Sequence, residues 1–173
     1  MAATQPITPC LWFDTQAEEA ARYYSGIFKS SKIGTIARYS DAGREVHGRA
    51  AGSVMTVEFE LNGQTFTALN GGPHFKFNEA VSFQIMCRDQ EEVDHYWNRL
   101  TQGGDPSAQQ CGWLKDKYGL SWQVVPTVLF EMMTDSDREK SDRAMEAMLK
   151  MKKIDIAALE WAFEGETTVS GKR

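Results

Sequence analysis

Neutral polar side chains recur at every second position in two apolar segments of the 173-residue chain. Ser82 and Gln84 alternate with apolar residues in one segment, and Ser121 and Gln123 do so in the other. This alternation is typical of β-strands, in which every second side chain shares a face. A buried amide without a hydrogen-bond partner costs about 1–3 kcal/mol. These groups therefore face either a hydrated, ligand-binding cavity or open solvent on an uncovered sheet.

Tryptophans and a glycine pair are further candidates for a binding site. Trp12, Trp113 and Trp122 fall in strand-like segments, and an indole is well suited to a cavity wall because its N–H needs a partner while its ring is buried. The pair Gly71-Gly72 allows either a close approach of the backbone to a ligand or a sharp bend between two halves of the chain. His74 follows this pair and is the histidine best placed to approach a pocket.

The sequence lacks the usual metal and nucleotide motifs. It contains no HExxH, CxxC or Walker A pattern, and no GxGxxG follows a strand. The 3 cysteines are widely spaced and odd in number, which is typical of a reducing cytoplasm rather than of a disulfide scaffold. The formal net charge of −5 argues against nucleic acid as the main partner. No apolar run is long enough to span a membrane, and residues 1–6 lack the features of a signal peptide.

A repeated pattern predicts two related halves. Paired acids followed by paired aromatics occur after residues 7–13 and again, at the same spacing, after residues 81–87. Each copy begins with an apolar segment that is typical of a buried strand, and the first strand is expected to be buried on both faces. Each half is too small to bury a core of its own, so we predict one domain made of two strand–helix units.

Local signals predict the elements that position these residues. Thr15 with Glu18 and Asp89 with Glu92 fit capping boxes at the starts of two helices. Asn62-Gly63 is a strong two-residue hairpin signal, and such a turn would pair Phe59 with Phe66 and Glu58 with Thr67. The face that carries Glu58 is then open to water or lines a wet cavity. Residues 111–115 and 120–125 predict a final hairpin, and helices follow from Thr127.

Four long motifs resemble those of one known family. They are NGGPHFKFNEAVSF at residues 70–83, CGWLKDKYGLSWQVVP at residues 111–126, MKKIDIAALE at residues 151–160 and ITPCLWFD at residues 7–14. Together they resemble the PhnB-like family, also labelled 3-demethylubiquinone methyltransferase-like. This family is part of the vicinal oxygen chelate superfamily, which includes glyoxalase I, bleomycin-resistance proteins and extradiol dioxygenases.

The resemblance implies an α+β fold with two βαβββ modules in a curved mixed sheet. The modules would cover residues 7–72 and 80–126 of a paired region at 1–126, and residues 127–173 would form a C-terminal helical extension. Members of the superfamily commonly dimerise, so we expect a cytoplasmic homodimer without nucleic-acid or membrane partners.

The resemblance also implies a small-molecule site. Where metal-using relatives place His or Glu, this chain offers neutral groups, with Gln123 at the position of an expected Glu. A neutral amide binds a divalent cation far less well than a carboxylate does. We therefore expect no metal and no cofactor, and a pocket that binds an aromatic or quinone-like ligand. Its predicted residues are Trp12, Asn70, His74, Phe75, Ser82, Gln84, Cys111, Trp113, Trp122 and Gln123.

Whether the protein is an enzyme stays open at this point. The alternative to simple binding is catalysis on a quinone or aromatic substrate, either methyl transfer or a metal-dependent lyase or dioxygenase reaction. Glu58, His74 and Cys111 would then be the acid–base or nucleophile candidates.

Overall fold

A computed structural model describes residues 7–165 of the chain. The chain divides into two compact units, Met1–Phe77 and Asn78–Arg173. Residues 1–6, for which the sequence predicts no signal peptide, lie outside the described residues. Residues 166–173, at the end of the expected helical extension, lie outside them as well. Across residues 7–165, no helix has the length and apolar character needed to cross a membrane.

The first unit is a mixed sheet of four strands covered by a helix. The strand order is β1-β4-β3-β2, with β1 parallel to β4 and the other pairs antiparallel. Its elements are β1 (Cys10–Phe13), α1 (Ala17–Ser25), β2 (Ser31–Arg38), α2 (Arg44–His47), β3 (Val54–Leu61) and β4 (Gln64–Asn70).

The predicted hairpin of the first unit is confirmed in its register. Phe59 pairs with Phe66 and Glu58 with Thr67. Asn62 and Gly63 have positive φ angles of 47° and 85°, which an Asn-Gly turn of this length requires. Every second side chain of β3 and β4 therefore packs against α1, while the polar set that includes Glu58 lies on the opposite face.

The start of α1 differs from the prediction. The N-cap residue is Gln16, and its side chain accepts no hydrogen bond from the first turn of α1. Its Oε1 accepts instead from the Thr15 N–H at 3.1 Å, so the predicted capping box of Thr15 and Glu18 is wrong. The Asn70 side chain replaces it, because its Oδ1 accepts a hydrogen bond from the Ala17 N–H at 2.8 Å. A cap from a distant strand fastens the helix directly to the sheet.

The edge strand β1 is also less buried than expected. Leu11 and Phe13 are buried, but Cys10 is exposed and Trp12 is half-buried. The strand is apolar on both faces, yet α1 covers only the face of Leu11 and Phe13. The expectation of burial on both faces is therefore wrong for the Cys10 side.

The second unit holds a smaller mixed sheet and the C-terminal helices. Its strand order is β5-β7-β6, with β5 parallel and β6 antiparallel to β7. Its elements are β5 (Ser82–Cys87), α3 (Gln90–Leu100), β6 (Trp113–Lys115), β7 (Ser121–Pro126), α4 (Thr127–Met133), α5 (Arg138–Met148) and α6 (Ile156–Glu164).

The α+β class, with two mixed sheets and C-terminal helices, is confirmed. The second sheet differs from the expected βαβββ pattern in having three strands where the first has four. Between α3 and β6, where the first unit has β2, the chain forms a short 3-10 helix at Pro106–Ala108. Pro106 cannot donate a backbone hydrogen bond to a neighbouring strand, which is consistent with the missing pairing.

Side-chain caps define the helices of the second unit. Asp89 accepts a hydrogen bond from the Glu92 N–H at 2.9 Å and begins α3 as predicted. Asp155 caps α6 in the same way through the Ala158 N–H. The segment between α5 and α6 is bonded to the loop before β6, since the backbone N–H groups of Cys111 and Gly112 donate to the carbonyls of Met151 and Lys152.

Replacing Asn70 by alanine tests its structural role. The change would leave the Ala17 N–H without its buried acceptor and would also remove the Asn70 donor to the Val54 carbonyl at 3.1 Å. We expect the free energy of unfolding to fall by about 2 kcal/mol. The measurement is chemical denaturation followed by circular dichroism. Asn78→Ala is the control, because that exposed side chain serves only a local turn bond, and its effect should stay within about 0.5 kcal/mol.

Candidate functional site

One face of the second sheet brings together polar side chains from all three strands. Directly opposite residues in the ladder are Ser82, Ser121 and Lys115 in one row, and Gln84, Gln123 and Trp113 in the next. Residues that pair in this way point to the same side of a sheet. We call this set of six residues the polar face.

The amides of the polar face are hydrogen-bonded to one another. Gln84 Nε2 donates to Gln123 Oε1 at 3.2 Å, and Gln123 Nε2 donates to Ser82 Oγ at 2.8 Å. Gln84 is exposed, while Ser82 and Gln123 are half-buried. Each amide nitrogen keeps a second hydrogen, and Gln84 Oε1 accepts no hydrogen bond from this ladder. The ladder therefore fixes the side chains and leaves donors and an acceptor for a further partner.

Ser121 occupies the centre of this face without a partner. Its side chain is 1 % exposed, and its Oγ makes no hydrogen bond. A buried hydroxyl of this kind costs about 1–3 kcal/mol if nothing pairs with it. Because this oxygen has almost no accessible surface, a ligand atom could pair with it only after a neighbouring side chain moved.

Lys115 supplies a positive charge at the same end of the sheet. Its ammonium group forms an ion pair with the carboxylate of Glu79, which precedes β5. The hydrogen bond from Lys115 holds the pKa of the Glu79 carboxyl below its usual range. Sequence reasoning did not select Lys115 or Glu79, although the alternation of β6 places Lys115 on the same face as Trp113.

Trp122 does not belong to the polar face. It alternates with Ser121 and Gln123, so it points to the opposite side of the sheet and is only 2 % exposed. There its indole N–H donates to the buried carboxylate of Asp116 at 2.9 Å. Strand alternation therefore places Trp122 and Gln123 on opposite faces of this sheet, and the role of Trp122 in ligand binding stays a prediction.

Cys111 lies in the loop before β6 rather than in a strand. Its backbone is in the left-handed region with φ at 52°, and its side chain is half-buried. The other cysteine of this unit, Cys87, is fully buried, and burial raises the pKa of its thiol to about 12. Cys111 therefore remains the thiol of the second unit that a ligand could reach.

Asn70, another residue of the predicted site, uses its side chain for bonds within the first unit. It lies on the α1 side of the first sheet with Phe66 and Ala68, and both side-chain atoms bond within the fold. The backbone carbonyl of Asn70 accepts a further hydrogen bond from the Tyr39 hydroxyl at 2.8 Å. Asn70 continues the alternation of Phe66 and Ala68 along β4, and this spacing could have identified it as a core residue.

Trp12, a predicted site residue of the first unit, contacts the glycine pair and Phe75. Its indole N–H donates to the Gly72 carbonyl at 2.8 Å, and Phe75 meets its ring edge-on at a centroid distance of 4.9 Å. A side chain at Gly71 would place its Cβ 2.2 Å from the ring, so this glycine admits the indole. Phe75 and His74 are exposed beyond it.

The donors at these positions do not fit a divalent cation. Within residues 7–165, no three His, Cys, Asp or Glu side chains gather in a cluster that could hold one. The polar face itself offers amides, hydroxyls and an ammonium group. Neutral amides and hydroxyls are weak ligands compared with carboxylate and imidazole, and the ammonium of Lys115 repels a cation.

Comparison with known families decides which group the chain belongs to. Residues 5–125 match the family model described as 3-demethylubiquinone-9 3-methyltransferase. The chain is a member of this PhnB-like family. Among curated proteins, none matches the chain significantly. The family name is a label for the group, and the methyl transfer it mentions is not thereby assigned to this chain.

One solved structure supports the family assignment, and a second shares the fold. The PhnB protein from Bacillus cereus is 35% identical, with a TM-score of 0.60, and the match covers 71% of this chain and 100% of that one. The protein PA1353 from Pseudomonas aeruginosa is 17% identical with a TM-score of 0.53, over 71% of this chain and 98% of that one. The second likeness concerns the fold alone.

Gly71→Ala tests the packing around Trp12. Because the new Cβ would overlap the indole ring, we expect the free energy of unfolding to fall by about 1–3 kcal/mol. The control is Gly26→Ala, where the nearest atoms lie at 3.4 Å and 3.5 Å and the backbone is helical, so its effect should be near zero. Thermal unfolding of both variants measures the difference. Equal stability of the two variants would show that the Trp12 ring does not pack closely against Gly71.

Proposed function

We propose that this protein is a metal-free small-molecule binding protein of the PhnB-like family, with an aromatic or quinone-like ligand. The observation that carries the proposal is the hydrogen-bonded ladder of Ser82, Gln123 and Gln84, flanked by the unpartnered Ser121 hydroxyl. A rigid set of neutral donors and acceptors orients a ligand without an ion, as in many small-molecule sites.

The chemistry of the polar face supports an aromatic ligand with polar oxygens. Trp113 is half-buried in the same row as Gln123 and offers its ring for stacking. The amide and hydroxyl donors of neighbouring positions suit carbonyl or hydroxyl oxygens. Trp12, with His74 and Phe75 beyond it, offers a second aromatic and polar group in the first unit. A cytoplasmic homodimer is part of the same proposal.

An enzyme acting on a quinone or aromatic substrate is the second candidate. The family name favours it, and the half-buried Cys111 is its nucleophile candidate. Glu58 and His74 are exposed and are its acid–base candidates. Methyl transfer would require a site for the methyl donor, and the sequence has no glycine-rich nucleotide loop.

Gln123→Leu tests the ladder as a binding element. We expect isothermal titration with 1,4-naphthoquinone and related aromatic ligands to give a dissociation constant about tenfold higher for this variant, because one residue holds both bonds of the ladder. The control is Gln102→Leu, at an exposed position after α3, which should bind like the wild type. Equal affinity of all three proteins would contradict the proposed site.

Metal and methyl-donor analysis separates the two candidates. Protein purified without chelator should contain zinc, nickel and iron well below one equivalent, because the polar face is a poor set of ligands for them. Titration with S-adenosylmethionine should release no heat. One equivalent of metal would overturn the metal-free proposal, and saturable binding of the methyl donor would favour the transferase.

A further inference from the structure

The ion pair of Lys115 and Glu79 stands at one end of an otherwise neutral polar face. Lys115 lies directly opposite Ser121 in the ladder, and Ser121 lies opposite Ser82. This end of the face therefore presents an ammonium group and two hydroxyls in one row across three strands. All three groups can donate a hydrogen bond.

The central donor of this row has no acceptor. Ser121 Oγ is buried and unpaired, although the neighbouring amides are tied into the ladder. An oxygen atom that took the place of the Glu79 carboxylate would lie next to the Lys115 charge at this end of the row. It would reach the Ser121 hydroxyl only if the Lys115 side chain moved aside. Hydrogen bonds to an ionised oxygen are stronger than those to a neutral one.

Glu79 is a replaceable counter-ion for Lys115. Its side chain is 64% exposed, whereas that of Lys115 is 25% exposed. An exposed carboxylate gains little from such an ion pair, because water competes for both charges. The half-buried ammonium group is the more fixed of the two partners, so an external anion could take the place of the carboxylate.

Trp113 sets the size of a ligand that reaches this row. It lies two residues along β6 from Lys115, which corresponds to about 7 Å along the strand. A ring stacked on Trp113 with an oxygen at its edge would bring that oxygen towards Lys115 and Ser121. The distance suits a fused two-ring ligand.

We propose that the polar face selects aromatic ligands that carry an ionised oxygen, such as an enolate, phenolate or carboxylate. The ionised oxygen displaces Glu79 from Lys115, while the ring packs on Trp113. This inference rests on the proposed function and adds the charge of the ligand to it.

Two probes of nearly the same shape test the selection. 1,4-Naphthoquinone is neutral, and 2-hydroxy-1,4-naphthoquinone carries an ionised oxygen at neutral pH. We expect the wild-type protein to bind the ionised probe about tenfold more tightly in isothermal titration at low salt. The preference should shrink at high salt, since screening weakens the attraction to a partly exposed ammonium group.

Single substitutions assign the preference to the ion pair. Lys115→Met should remove the preference, because it should weaken the binding of the ionised probe alone. Glu79→Gln should increase the preference severalfold, because it removes the carboxylate that competes for the ammonium group. The matched control is the ion pair of Lys140 and Glu164 in the C-terminal helices, with a distance of 2.8 Å and similar exposure. Lys140→Met and Glu164→Gln should leave both affinities unchanged. Circular dichroism and thermal unfolding verify that each variant is folded.

The outcomes separate this inference from the proposed function. If both probes bind with equal affinity and salt has no effect, the charge selection is wrong and the binding function stands. If the preference persists in folded Lys115→Met, the charge selection does not come from this row and the inference is also overturned. If neither probe binds, the quinone-like ligand of the proposed function fails together with the inference.

Discussion

The parallel register between β5 and β7 is the constraint on which the candidate site depends. It sets Gln84 opposite Gln123 and Ser82 opposite Ser121, so four polar side chains share one face. The antiparallel β6 then adds Trp113 and Lys115 to the same face. If one strand shifted by one residue against its neighbour, its polar side chains would turn to the core side. Trp122 and other core side chains would then point to the polar face. On the other side of the sheet, the hydrogen bond from Trp122 to Asp116 helps to hold the register of β6 against β7.

Alternation and turn chemistry made much of the fold predictable from the sequence. The Asn62-Gly63 turn fixed the pairing of Phe59 with Phe66, because a two-residue loop allows one register. Asp89 identified the start of α3 for a similarly local reason. The α+β class with C-terminal helices followed from the resemblance of long motifs, and family membership and the similarity to the Bacillus cereus PhnB protein bear it out.

Long-range contacts account for the features that sequence reasoning missed. Asn70 caps α1 from a strand more than fifty positions along the chain, so the local pattern at Thr15 was misleading. Trp122 was grouped with Gln123 because of its residue type, although alternation separates them. The partner of Lys115 is Glu79, in a loop before another strand, and no spacing rule connects two such residues.

The central claim is that the polar face holds its ligand through neutral donors and one ammonium group, without a metal ion. The most direct measurement is the affinity for 2-hydroxy-1,4-naphthoquinone, titrated into the wild-type protein before and after exhaustive treatment with a chelator. We expect the same dissociation constant in both cases. Loss of binding after chelation, with recovery on addition of zinc, nickel or iron, would contradict it.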